Sequence, residues 1–128
     1  MKNIILFIFL FLSSVMAADF DWLHSINKAK EEALKNNKKI LLMISRDGCR
    51  SCEYMDSVVF ENEDVVEYVE NFFIPVKLDL EKANKNGFKA FATPTFYFLN
   101  KNLKTIKRVV GAATPNTFLK TLRELNSN

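Results

Sequence analysis

The 128-residue sequence holds only two cysteines, one histidine, one tryptophan, three glycines and three prolines. Each scarcity excludes something. A structural zinc site takes four nitrogen or sulfur ligands, which two cysteines and His24 cannot supply. An iron–sulfur cluster fails on the same count. Covalent haem attachment needs a histidine directly after the second cysteine of its motif, and position 53 is Glu. With so few glycines and prolines, no linker or low-complexity tract divides the chain. A formal charge of +3 is too small to argue for nucleic acid or an anionic membrane surface. No apolar run reaches the roughly 20 residues that span a bilayer. The expectation is a monomeric chain with no metal, no cofactor, no nucleic-acid partner and no stable membrane insertion.

What is present reads as one domain. Apolar residues make up 48% and charged residues 26%, which is ordinary globular composition. The N-terminus has the grammar of a secretory signal: Lys2, then the uncharged apolar run Ile4 to Leu12, then Val15-Met16-Ala17 at a small-x-small cleavage site. The expected division is a signal peptide over 1–17 and a domain over 18–128. Such a domain is periplasmic or secreted, in a compartment where disulfides form. About 110 residues are enough for a core without disulfide staples.

Trp22, Ile26, Ala29, Ala33 and Leu34 recur at helical spacing, and Asn36-Asn37 is a plausible stop. Ile40 to Ile44 is a continuous apolar run of the kind that forms a strand buried on both faces. Ser45 to Gly48 breaks it. A helix opening at Cys49 is expected to carry Met55, Val58 and Val59 inward. Asn62 or Asp64 can cap another helix through Val65, Val66, Tyr68 and Val69. Phe72 to Leu80 reads as a strand, and Pro75 within it points to a sheet edge because it lacks an N–H. Glu81 to Lys89 is weakly helical or loop. Thr95 to Leu99 is a strand, Asn100-Lys101-Asn102 a turn, and Leu103 to Val110 the returning strand. Lys101, Lys104, Lys107 and Arg108 read as a solvated edge. Thr114 and Pro115 open a terminal helix with Phe118, Leu119, Leu122 and Leu125 on one face. This order implies an α/β fold: a mixed central sheet with helices on both faces.

The chemistry lies in Cys49-Arg50-Ser51-Cys52. Two intervening residues let both sulfurs meet across the first turn of a helix, and the N–H groups there favour a thiolate on the first. Arg50 adds a positive charge beside it. The second cysteine can then attack a mixed disulfide within the same molecule. A purely structural disulfide is the competing reading, but so small a loop stabilises little through chain entropy. A second signal is Ala92-Thr93-Pro94-Thr95-Phe96. Proline directly before a β-prone strand is either a cis Thr–Pro turn or an ordinary trans start to the strand. His24 reads as a surface or helix-end residue rather than a ligand or base, and Phe88 and Phe91 as core or rim packing, with an exposed substrate-binding role for Phe91 as the alternative.

A buried strand, a C-x-x-C opening a helix, Thr93-Pro94-Thr95 before a hairpin, and Gly111 before a last helix together resemble the thioredoxin superfamily. The resemblance runs from Trp22 to the final helix. It implies a thioredoxin fold and a thiol–disulfide oxidoreductase with Cys49 as nucleophile and Cys52 as resolving thiol. It also implies a cis Pro94 against the disulfide and a Thr93 that offers backbone groups to an extended substrate. Met55, Phe60 and the acidic stretch before Val65 are similar to exported single-domain members. These in turn resemble the C-terminal domain of the transmembrane disulfide reductase. That likeness implies a reductase or relay acting on protein thiols and disulfides of the envelope, fed by a membrane electron donor. A thiol oxidase and a non-catalytic binding or chaperone-like module are the alternatives. Two departures stand out. Gly48 replaces the usual Trp before the first Cys, and Met43 replaces a buried Asp that assists proton transfer. Asp56 and Glu53 are the candidate substitutes for that acid, with Glu53 the better candidate for a merely solvated side chain.

Overall fold

The computed structural model describes residues 20–127. The expected signal peptide over 1–17 lies outside them. A four-stranded mixed sheet is ordered β2-β1-β3-β4, with β1 Lys39–Ser45, β2 Phe73–Asp79, β3 Thr95–Leu99 and β4 Thr105–Val110. β2 runs parallel to β1, while β3 and β4 are antiparallel neighbours on the other side. Alternation along β1 explains its unbroken apolar run. Leu41 and Met43 point into one core with Phe96, Phe98 and the helices α2 (Arg50–Tyr54), α3 (Glu63–Phe72) and α5 (Pro115–Asn126). Ile40, Leu42 and Ile44 point into the other, under α1 (Ile26–Asn36) and α4 (Leu80–Lys85). Both faces of the strand are therefore covered, as a central strand between helical layers requires.

The helix ends follow the expected side-chain chemistry. Asn62 Oδ1 accepts the N–H groups of Asp64 and Val65 to start α3. Thr114 caps α5 with Pro115 at its first turn. Asn37 closes α1 in the left-handed conformation at φ 52°. β2 is an edge of the sheet, and Pro75 O accepts the Leu23 N–H from its outer side. The N and O of one strand residue point the same way. The missing N–H of Pro75 therefore falls on the outer side and costs no bond to β1.

Four expectations need correction. Trp22 is not helical: residues before the Ser25 cap run beside β2, where Leu23 bridges Val76. Leu34 is 49% exposed, because the inward stripe of α1 is the narrow row Ile26, Ala29 and Ala33. Val58 is 43% exposed. The helix widens to a π-helical turn over Met55–Val59, which sends Met55 and Val59 inward and leaves Val58 out. Leu103 belongs to the turn and not the strand, with φ 66° and its N–H donated to Asn100 O.

Candidate active site

Strand β1 ends at Ser45, and a short turn delivers Cys49 to the start of α2. Gly48 has φ 76° and no atom within 4 Å of a would-be Cβ, so backbone conformation rather than space favours glycine here. That is the physical reason a Trp fits poorly at this position. Cys49 is the N-cap residue of α2, and its Sγ accepts the Cys52 N–H at 3.2 Å. Cys49 and Cys52 form a disulfide. The two sulfurs are not equivalent. Cys49 is half-buried and faces outward, whereas Cys52 is 2% exposed within the core that holds Met43, Met55 and Phe96. Arg50, the first residue of α2, is exposed.

The Thr93–Pro94 bond is cis. Thr93 O lies 3.4 Å from Cys49 Sγ, close enough to accept a bond from the thiol in the reduced protein. Thr93 Oγ1 is buried with no hydrogen-bond partner among the described residues. The Gly111 N–H donates to Pro94 O at 2.8 Å and ties the loop to the end of β4. Gly111 itself has φ 97°.

On the other side of the disulfide, a cleft of about 350 Å³ brings together Cys49, Cys52, Asp56, Lys77, His24 and Asp79. Lys77 pairs in register with Met43, so it stands on the same face of the sheet as the missing acid would. Its Nζ donates to Asp56 Oδ1 at 2.6 Å and sits 5.4 Å from the Trp22 ring centroid. Asp56 follows Cys52 by one helical turn, which puts both on one side of the helix. Glu53 also borders this cleft, but it is exposed. His24 is exposed and contacts Lys77 O through Nδ1.

The structure thus brings Cys49, Cys52, Thr93 and Pro94 together and gives Asp56 a partner that sequence reading missed. Lys77 and Asp79 are the two charged residues in phase with Phe73 on β2, and of the two only Lys77 is part-buried. Phe88 is buried against Tyr97, with ring centroids 5.5 Å apart. Phe91, expected as core or rim, is instead 90% exposed. Among the described residues, no group of three or more His, Cys, Asp or Glu could hold a metal. No helix among them is long and apolar enough to cross a membrane.

The family model for a thioredoxin-like domain matches residues 26–126. The chain belongs to that family. The thiol:disulfide interchange protein DsbD of Campylobacter jejuni is 23% identical over 114 residues, which cover 84% of this chain and 20% of the relative. The chain therefore spans about a fifth of that curated relative's length. A thioredoxin from Thermus thermophilus superposes with a TM-score of 0.69 at 21% identity, covering 81% of this chain and 85% of that one. The oxidised C-terminal domain of DsbD from Neisseria meningitidis gives 0.64 at 19% identity, covering 83% of this chain and 99% of that one. The expected thioredoxin fold is therefore the fold of this chain, which carries its Cys49–Cys52 disulfide at the start of α2.

Proposed function

We propose that the protein is a thiol–disulfide oxidoreductase of the cell envelope that reduces protein disulfides or relays electrons to them. The observation that carries this is the asymmetry of the pair, one sulfur outward at a helix N-terminus and the other inward. In the reduced protein, the Cys49 thiolate attacks a partner disulfide and releases one partner thiolate, which is protonated. Cys52 then loses its proton and attacks Cys49 Sγ, releasing the second partner thiol and leaving the Cys49–Cys52 disulfide. Two electrons pass to the partner. A membrane-bound dithiol donor returns them.

Helix α2 and Arg50 favour the thiolate of Cys49 over its thiol in the reduced protein. Thr93 and Pro94 position the partner's backbone beside the sulfur. Asp56, held by Lys77 on the Cys52 side, takes the proton that an acid at position 43 would otherwise take. Export after cleavage at Ala17 is supported by the Lys2, apolar-run and small-x-small pattern.

Direction follows from potential. Thiolate stabilisation pushes the pair toward oxidants, and the absence of a His between the cysteines limits the push. The expected potential lies between about −270 mV and about −120 mV, the values of thioredoxin and a strong periplasmic oxidase. The test is to trap thiols in living cells by alkylation and read the pair. A mostly reduced pair supports the reductase. A mostly oxidised pair with a potential near the upper value reverses the direction. A pair inert to disulfide exchange replaces both with a binding module.

A further inference from the structure

The charges of this chain are segregated along the sequence. From Asp47 to Glu81 there are ten Asp or Glu and only Arg50 and Lys77 as cations. From Lys82 to Arg123 there are nine Lys or Arg and no Asp or Glu. The fold sets the acidic run in α2, α3 and β2, and the basic run in the proline loop, β3, β4 and most of α5, while α4 carries Lys82 and Lys85 back beside β2. The border passes through the contact of Cys49 Sγ with Thr93 O.

On the basic flank an apolar surface adjoins the disulfide. Phe91, two residues before Thr93, is 90% exposed. Val110 is 55% exposed and pairs with Thr95, the residue after Pro94. The Thr95 hydroxyl donates to Ala92 O, so the side chain of Thr95 points to the loop, and cross-strand neighbours share a face. Val110 therefore stands on the loop side. Tyr97 holds one cation there, the Arg108 guanidinium 5.9 Å from its ring, and its hydroxyl donates to the backbone carbonyl of Lys89, which fixes the chain at a second basic residue. Lys89 and Arg108 are both exposed.

Resting on the thiol–disulfide reading above, we infer that the partner presents its disulfide in an extended, acidic segment. One apolar side chain of that segment rests on Phe91 and Val110, and its carboxylates face Lys89 and Arg108. Charge complementarity selects this occupant, because no acid of the 82–123 run competes for those cations. An exposed aromatic two residues before the Thr93 carbonyl that meets the reacting sulfur is the kind of anchor that carries binding energy in protein interfaces.

The experiment uses the reduced protein and cysteine peptides activated as neutral thiopyridyl disulfides, one Glu-rich and one Lys-rich, both with a Leu near the cysteine. Release of thiopyridone reports each exchange, and 2,2′-dithiodipyridine serves as the small reference. At about 20 mM salt the Glu-rich peptide should react roughly tenfold faster than the Lys-rich one, and the ratio should fall toward one at about 0.5 M. Lys89→Glu with Arg108→Glu should invert the preference. Lys35→Glu with Lys101→Glu, an equal charge change at the far end of the molecule, should keep it. Phe91→Ser should lower the rate with the Glu-rich peptide several-fold relative to the small reference. Equal rates with both peptides, or a preference that follows net charge regardless of site, overturn the inference and leave the oxidoreductase standing. Failure to react with dithiodipyridine as well overturns the oxidoreductase itself. Self-association at low salt that the Lys89/Arg108 reversal abolishes shows a second copy on this surface and also overturns the inference.

Discussion

The two sides of the Cys49–Cys52 disulfide differ in charge, in the elements that build them and in the sulfur they serve. The side of Cys49 is loop and edge strand, with a cis proline, an exposed Phe91 and cations. The side of Cys52 is helix against sheet, with a polar cleft in which Asp56 and Lys77 are joined. The difference teaches that one motif is divided between two tasks. Meeting a partner needs accessible backbone and surface, and moving a proton to a buried thiol needs a polar group admitted close to the core.

The sharpest way to break the comparison is to exchange the cysteines' fates. Cys49→Ser should abolish disulfide exchange, a loss beyond about 10³-fold, because no other thiol remains outward. Cys52→Ser should keep the first attack and stop the second, so that partners accumulate as mixed disulfides on Cys49. Mass spectrometry of alkylated cell extracts reads both. If Cys52 alone captures partners and Cys49 alone does not, the two sides have been assigned the wrong way round.

The next largest effect is on proton movement. Asp56→Asn should slow resolution of the mixed disulfide by about 10- to 100-fold, the usual range for a positioned acid–base group. The first attack should be slowed less, so the ratio of the two single-turnover rates carries the result. Met43→Asp added to Asp56→Ala should recover about tenfold of the loss, because position 43 is Lys77's partner in the ladder. An equal slowing of both steps by Asp56→Asn places the residue in structure alone.

A smaller effect concerns stability. Lys77 and Asp56 have side-chain exposures of 22% and 39%, so their pair is partly solvated. Lys77→Met should change unfolding free energy by no more than about 1 kcal/mol in urea, because a lost ion pair is offset by new apolar contact with Trp22. A loss of several kcal/mol marks the pair as structural and weakens its assignment to proton transfer.

How much of this was legible in the sequence differs between the two sides. The sheet, its covered central strand and the edge placement of Pro75 follow from apolar runs and one missing N–H, both local signals. The cysteines and the Thr93-Pro94 loop are equally local, since a motif or a single proline announces them. The cleft was not legible, because Asp56 and Lys77 lie 21 residues apart and meet only through the β1–β2 register. Phe91 was misread for a related reason. An aromatic in a loop carries no periodicity, and Phe88 alone suffices to fill the space against Tyr97. Val58 went astray because a π-helical turn shifts the phase of a pattern read at 3.6 residues per turn.

The smallest expected effect discriminates most finely, because it compares two acids on one helix. Glu53 borders the same cleft as Asp56 and directly follows Cys52 in sequence. Adjacent residues on a helix diverge by about 100°, so Glu53 stands beside Asp56 but to the side of Cys52, on the open rim of the cleft. It is exposed, and its backbone carbonyl accepts the Ser57 hydroxyl at 2.7 Å, which places no demand on the carboxylate. A carboxylate in open water exchanges protons with solvent as readily as with a neighbour and is screened from the sulfur by salt. Glu53→Gln should therefore change either exchange step by less than about twofold, within what loss of one exposed charge near an interface does to association. Any residual change should disappear at about 0.5 M salt, where only short-range contacts survive. If Glu53→Gln slows resolution as much as Asp56→Asn does, the proton path runs over the open surface of α2, and the Lys77–Asp56 pair is not what serves Cys52.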